Sequence, residues 1–464
     1  MYGPLVTTIM SDTAFTATEV GWFFNASTIG GAVSVALTSR MGDIYGSRKV
    51  LIAVSILALL GSAVAGLMSD FWPLAIGRFL TGVSAGVPLG WGLVRPGANA
   101  TQTQRISVWL ATVAALFTPV GTVLAGVFAT AGLSWRSVTW FIFGLFALQL
   151  IFALASRNAP IQPRTTTMTT SRLDWTGAIG LGLWVTALLL GISSGPENGW
   201  TSPMVLAYLA AGAVLFVAWI FQQRRATSPM MSFENMDLRQ TVAGYLCMVT
   251  LCFLGLSFYV ALPNMMQNPG WGLGLDPLTS TWPLLMVFPG TMLAGQLVKF
   301  LVPRIGPKVF LSSAAIASLV VTLGLGFVHD SYWSFFLWSF LYGTLLMSIY
   351  TTGYMLVAAS TRQDNPSTVF GVQGVLQYLS VAIATAVVFN VIAPGPDGFT
   401  PESSWTGLFV GLSILLVVMA GVWWLLAPRD LTDRHAVDVH DDLPGALEVG
   451  NVAPVGGIPP TVLK

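Results

Sequence analysis

The sequence predicts an all-α polytopic membrane protein, and three observations carry the prediction. Only 8% of its 464 residues are charged and 54% are hydrophobic, against about 25% charged in a soluble domain. Apolar runs recur from end to end, each near the ~20 residues a helix needs to cross a bilayer. Lysine and arginine gather in every second connection, the positive-inside pattern of a chain threaded back and forth through a membrane. The runs are too long, and too uniformly apolar, for the alternating strands of a barrel. The 48 glycines and 26 prolines suit closely packed, bent helices.

Taken in order, spans are expected near 19–40, 50–69, 72–94, 106–130, 136–156, 174–194, 203–223, 241–263, 278–301, 308–328, 332–358, 368–392 and 405–427, thirteen in all. Residues 1–10, MYGPLVTTIM, would reach only ~15 Å as a helix, half of the ~30 Å hydrocarbon layer. They read as the tail of a helix that begins upstream. Eighteen of the 20 cations fall in alternate connections or the tail, and only Arg78 and Arg136 do not. That alternation places the C-terminus and the loop RMGDIYGSRK, residues 40–49, in the cytoplasm, and the plasma membrane is the expected location. The polar stretch 157–172, with two prolines, reads as the loop that ends a first bundle. From 429 onward the chain turns acidic and rich in Pro and Gly, as expected of a disordered tail.

Composition also excludes. A net charge of +1 without a basic cluster speaks against nucleic acid. No G-x-x-x-x-G-K-[ST] loop is present for ATP. Cys247 and Cys252 share one apolar run and cannot make a metal site alone, and His329, His435 and His440 lie outside the spans. No cofactor and no metal are expected. A membrane enzyme would need a nucleophile and base, or His with Asp or Glu, at one depth, and the histidines do not supply it.

An internal repeat organises the chain. GQLVKFLVPRIGPKVFL, residues 295–311, resembles TSRMGDIYGSRKVLI, residues 38–52, with Gly306 lying 260 residues after Gly46 and a cation, Arg48 or Lys308, two positions after each glycine. Each copy joins two spans on the cytoplasmic side. Two six-helix halves with two helices inserted between them give that spacing, and duplication of this kind builds many secondary transporters. The expected division is an N-terminal bundle over 1–156, a linker region with two extra helices over 157–240, a C-terminal bundle over 241–428 and the tail 429–464.

At these residues the chain resembles the major facilitator superfamily, and within it the fourteen-helix drug/proton antiporter branch, over about residues 1–428. The family's signature between helices two and three is matched by Asp43, Gly46 and Arg48, with Ser39 where a glycine is usual. The resemblance implies a gating turn that latches the halves in one state of an alternating cycle. IGRFLTGVSAG, residues 76–86, is similar to the fourth-helix motif, with Arg78, Gly82 and Gly86 on one helical face and Thr81 in place of glutamine. An intramembrane arginine costs about 2.5–3.5 kcal/mol to insert and faces a partner or a watery cavity. It is the candidate for transport or proton relay. LFTPVGTVLAG, residues 116–126, keeps Pro119, Gly121 and Gly126 of the helix-five antiport motif, with Thr118 for the glycine before proline.

Proton coupling needs an ionisable group that opens to each side in turn. None of the 19 Asp and Glu lies deep in a span, Glu19 and Asp174 being at span starts. The family places an acid ahead of the segment that Gly3-Pro4 echoes, so the acid and a counter-ion for Arg78 are expected upstream of Met1. Without one, Arg78 would attract an anionic substrate instead. Trp22, Asn25, Trp109, Tyr245, Gln373, Gln377 and Tyr378 are candidates to line a cavity, because aromatics and amides in an apolar pocket suit an amphipathic molecule. The resemblance implies a monomeric secondary transporter working by alternating access. It exports small organic compounds or drugs in exchange for protons, with uptake by symport the alternative and a membrane enzyme a more distant one.

Overall fold

The computed structural model describes residues 2–84, 119–156, 174–226, 238–359, 366–391 and 400–429, and among these it is helical without a strand. A 3-10 turn, Gly3–Leu5, leads into α1 (Val6–Thr13), α2 (Ala17–Met41), α3 (Ser47–Leu67) and α4 (Phe71–Gly82). Next come α5 (Pro119–Thr130) and α6 (Arg136–Ala155), then α7 (Trp175–Asn198) and α8 (Pro203–Arg225). The remainder is α9 (Leu238–Gln267), a 3-10 stretch Thr279–Met286, α10 (Val287–Phe327), α11 (Tyr332–Leu341), α12 (Met347–Ala359), α13 (Pro366–Val391) and α14 (Glu402–Leu426). Two wide π turns, Gly42–Gly46 and Tyr342–Leu346, join α2 to α3 and α11 to α12.

Nine helices among the described residues are long and apolar enough to cross a bilayer. One of them, Thr279–Phe327, breaks at Gly306, so its two limbs answer to the expected spans at 278–301 and 308–328. The 25-residue α2 answers to 19–40. The spans expected at 72–94 and 106–130 are described only through α4 and α5, and residues 85–118 between them lie outside the described set.

Local chemistry sets the boundaries. The Asp174 carboxylate caps α7 by accepting from the Gly177 amide at 2.8 Å. It also accepts from Thr176 Oγ1 and from the side-chain amides of Gln222 and Gln223 on α8. This one residue thereby starts α7 and ties it to the end of α8. Burial pushes the Asp174 carboxyl up, but the four hydrogen bonds outweigh it and hold the group below the usual carboxylate range. Ser202 caps α8, with Pro203 in its first turn. Indole Nε1 of Trp219 donates to the Gly177 carbonyl at 2.8 Å and closes the α7–α8 pair.

The internal repeat is legible in the packing. A β-carbon on Gly30 of α2 would stand 2.2 Å from the Phe79 carbonyl oxygen, and one on Gly82 of α4 would stand 2.0 Å from that of Ser27. In the second half, a β-carbon on Gly290 would stand 2.3 Å from the Phe340 carbonyl, and one on Gly343 2.3 Å from that of Val287. Gly290 lies 260 residues after Gly30 and Gly343 lies 261 after Gly82, nearly the offset of the two glycine turns. Backbone-to-backbone contact of this closeness is possible only without side chains. The same helix pair is therefore built twice.

Candidate functional site

Arg78 sits on α4, 8% exposed, so it does not reach out to the membrane surface. Its Nε donates to the Phe23 carbonyl at 3.2 Å and its Nη2 to Ser27 Oγ at 3.1 Å. The guanidinium lies over the Tyr2 ring, 4.7 Å from its centre, and over the Phe23 ring at 4.6 Å. Tyr2 is fixed in turn by a 2.8 Å hydrogen bond between its hydroxyl and Thr139 Oγ1 on α6. Two aromatic faces, a carbonyl and a hydroxyl thus hold this cation, and among the described residues no carboxylate is its partner. Cation–π attraction grows when the ion is desolvated. Trp135 packs edge-on against Phe23, 5.9 Å between centres.

The two glycine turns have matching backbones. Gly46 has φ 89° and ψ 130°, and Gly306 φ 77° and ψ 154°, a region that side chains exclude. Each turn's cation then meets the last helix of its own half. Arg48 donates from Nε to the Ala153 carbonyl at 3.0 Å and from Nη2 to that of Leu154 at 2.7 Å, at the end of α6. Lys308 lies over the Trp424 ring of α14, 4.7 Å from its centre, while its backbone N–H donates to the Pro428 carbonyl at 3.3 Å. A cation at a helix C-terminus complements the helix dipole. Each of these contacts stays on its own side of the repeat. The Asp43 side chain lies outside the described set.

The remaining motif residues divide. Gly82 makes the backbone contact with α2 described above, whereas Gly86 lies outside the described residues. Pro119 and Gly121 begin α5. Gly126 abuts the loop before the Thr279–Met286 stretch, where a β-carbon would stand 2.8 Å from the Pro277 carbonyl. Next to it, Thr130 Oγ1 donates to Asp276 at 3.2 Å. Burial raises the Asp276 carboxyl, but hydrogen bonds from Thr279, Thr130 and the Leu278 amide hold it below the usual range.

On the same side, Pro263 interrupts the hydrogen bonding of α9 and leaves the Tyr259 carbonyl without its usual helical donor. Gly3 packs there, where a β-carbon would stand 2.9 Å from that oxygen. Asn264 Nδ2 donates to the Gly3 carbonyl at 3.1 Å, and Gln267 Nε2 to that of Pro4 at 3.4 Å. The two halves therefore meet through the Gly3–Leu5 turn and α9, and through α5 and the Asp276 loop.

Of the cavity candidates, Asn25 is fully buried and neither amide atom has a partner, and Trp22 on the same helix is half-buried. Tyr245 is buried on α9. Gln373 is 6% exposed with its Oε1 unpartnered. Gln377, one turn on, donates to the Tyr350 hydroxyl at 3.0 Å. Tyr378 crosses to the other half, where its ring fills the space over Gly31 of α2. Trp109 lies outside the described residues. Sequence reasoning missed Tyr2, Phe23, Tyr342 and Tyr350. A tyrosine directly before Gly3-Pro4 was the signal that could have found the first.

These features define a helical membrane protein built on an internal repeat, with a buried cation in one half and polar aromatics in the other. The chain belongs to the Major Facilitator Superfamily, whose model matches residues 1–385. The multidrug resistance protein Stp of Mycobacterium tuberculosis (strain CDC 1551 / Oshkosh) is 26% identical over 62% of this chain and 52% of its own length. The tetracenomycin C resistance and export protein of Streptomyces glaucescens is 25% identical over 97% of this chain and 79% of its own. The uridine/deoxyuridine transporter of Lactococcus lactis subsp. cremoris is 25% identical over 84% and 83%. The chain spans 52% to 63% of the length of the first four curated relatives it matches. The xylose transporter XylE from E. coli, solved in a partially occluded inward-open conformation, superposes with a TM-score of 0.58 at 12% identity. It covers 92% of this chain and 94% of its own and likens the two in fold alone.

Proposed function

We propose that this protein is a secondary transporter that works by alternating access and exports small amphipathic organic compounds in exchange for protons. The repeated glycine contact carries the reading: Gly30 with Gly82 and Gly290 with Gly343 make one rigid helix pair in each half, so the halves can rock as bodies about the seam between them. The bundles run over 1–156 and 241–428, with the inserted helices in 157–240 and the C-terminus in the cytoplasm. Arg78 is the transport residue, holding a proton's counter-charge or the substrate's anionic group. Gly46 with Arg48 and Gly306 with Lys308 set the cytoplasmic ends of the two halves. The working unit is the monomer.

Relatives named for multidrug resistance and for antibiotic export favour efflux. A relative named as a uridine/deoxyuridine transporter favours the second reading, uptake by symport. The test is an assay in inside-out vesicles with an imposed pH gradient and a panel of amphipathic compounds. Accumulation that collapses with the gradient is expected, and accumulation that survives dissipation of every ion gradient defeats the coupled mechanism.

A further inference from the structure

The second half holds a cluster of tyrosines to which no role has yet been given. Tyr342 opens the π turn that joins α11 to α12, a wide turn often retained at functional sites. Its ring stacks on Phe258 of α9, 4.1 Å between centres and 12° between planes, and stands edge-on to Tyr259 at 6.2 Å. The residue is 1% exposed and its hydroxyl has no partner. That hydroxyl faces Gly255, where even a β-carbon would come within 3.0 Å, so the glycine leaves it room. A buried polar group without a partner costs stability, and a ligand that accepts its proton removes the cost.

A second donor lies beside the first. Tyr350 Oη accepts from Gln377 Nε2 at 3.0 Å, which leaves the tyrosine's own O–H proton to donate. Cys252 lies one helical turn before Gly255, the residue of α9 that the Tyr342 hydroxyl faces. Cys252, Tyr259, Tyr350, Gln377 and Tyr378 are all half-buried, although Tyr378 touches α2 of the opposite half. Through Tyr378 the cluster forms a wall that reaches the other bundle.

We infer that this wall is a binding subsite for planar aromatic compounds that carry an oxygen acceptor, a carbonyl, phenolate or carboxylate. The half-buried rings of Tyr259 and Tyr350, beside the stacked Phe258–Tyr342 pair, offer a flat ring offset or T-shaped contact. The Tyr342 and Tyr350 hydroxyls donate to its oxygen. A saturated compound of the same size loses the ring contacts, and a compound without the acceptor leaves the Tyr342 hydroxyl unpartnered. The assignment deepens the transport reading and rests on it for the compound's passage, but binding is measurable without transport.

The native thiol reports occupancy. In a Cys247→Ala variant, Cys252 is the sole cysteine, and its rate of reaction with a small maleimide is measured in detergent. With 2-naphthoate present the rate is expected to fall several-fold. Decahydro-2-naphthoate and tetraphenylphosphonium, which lack respectively the ring and the acceptor, are expected to leave it unchanged. Tyr342→Phe and Tyr350→Phe, which keep the rings, are each expected to raise the naphthoate concentration needed about tenfold. No protection by naphthoate, equal protection by either of the other two compounds, indifference to both substitutions, or a Cys252 that no maleimide reaches overturns the subsite. Proteoliposome flux separates the two readings: protection without flux of any compound defeats transport and leaves the subsite standing. Naphthoate flux with the same KM in the Tyr342→Phe/Tyr350→Phe double variant defeats the subsite and leaves transport standing.

Discussion

Alanine at Gly306 is expected to destabilise the protein more than alanine at Gly46, although the two glycines share a backbone conformation. At either position a β-carbon must occupy a region that only glycine enters freely, which costs about 1–3 kcal/mol. Around Gly46 there is otherwise nothing within 4 Å of that β-carbon, so the cost ends there. At Gly306 it would lie 2.0 Å from the Arg429 carbonyl oxygen, which must retreat by about 1 Å or more to reach ordinary contact. The retreat drags the preceding carbonyl of Pro428 from the Lys308 N–H, 3.3 Å away, a hydrogen bond worth about 0.5–1.5 kcal/mol. It also disturbs the Lys308–Trp424 contact, worth about 0.5–1 kcal/mol. The second glycine should therefore cost about 1–2 kcal/mol beyond the first. The assay is thermal unfolding of the wild type and both variants in one detergent, followed by tryptophan fluorescence. Equal midpoints for the two variants, or a lower one for Gly46→Ala, would refute the reasoning.

Three further outcomes follow from the geometry. Alanine at Gly82 and at Gly343 should each destabilise by roughly 1–3 kcal/mol or more, because each forces a helix pair apart; similar losses of denaturation midpoint in both check that the two halves are equivalent. Asp174 has a folded-state pKa below its unfolded value, so the stability it gives is complete above about pH 4 and is lost as pH falls through the lower folded value. An acid titration of the α7–α8 contact should therefore show a loss below pH 4 that is absent from Asp174→Asn, whose own deficit is already present at neutral pH. Arg78→Lys keeps the charge but not the flat face over Tyr2 and Phe23, so vesicle transport should fall at normal expression; unchanged transport in both Arg78→Lys and Arg78→Ala would remove Arg78 from the mechanism.

Much of this was legible in the sequence, for identifiable reasons. Membrane spans announce themselves because hydrocarbon demands long apolar runs, and glycine turns because a cation two residues later marks both copies. Arg78 stood out as a charge where none is cheap. Its surroundings did not. Among the described residues its partners are two aromatic faces, a main-chain carbonyl and a serine hydroxyl. Apolar-looking residues such as Phe23 carry no mark in a chain that is mostly apolar. Nor could spacing reveal that Gln377 meets Tyr350, 27 residues away on another helix. Gly30 and Gly290 were hidden among 48 glycines until their neighbours' carbonyls singled them out.

The bonds from Asn264 and Gln267 to the carbonyls of Gly3 and Pro4 join neutral amides to main-chain oxygens. A unit charge carried across 100 mV changes an equilibrium by about 2.3 kcal/mol. Parting this portion of the seam displaces no such charge, so membrane voltage exerts no pull on it. Any voltage sensitivity the cycle possesses must then enter through whatever ion or cargo is moving, or through Asp276 beside it, and an electrode would register those and not the amides.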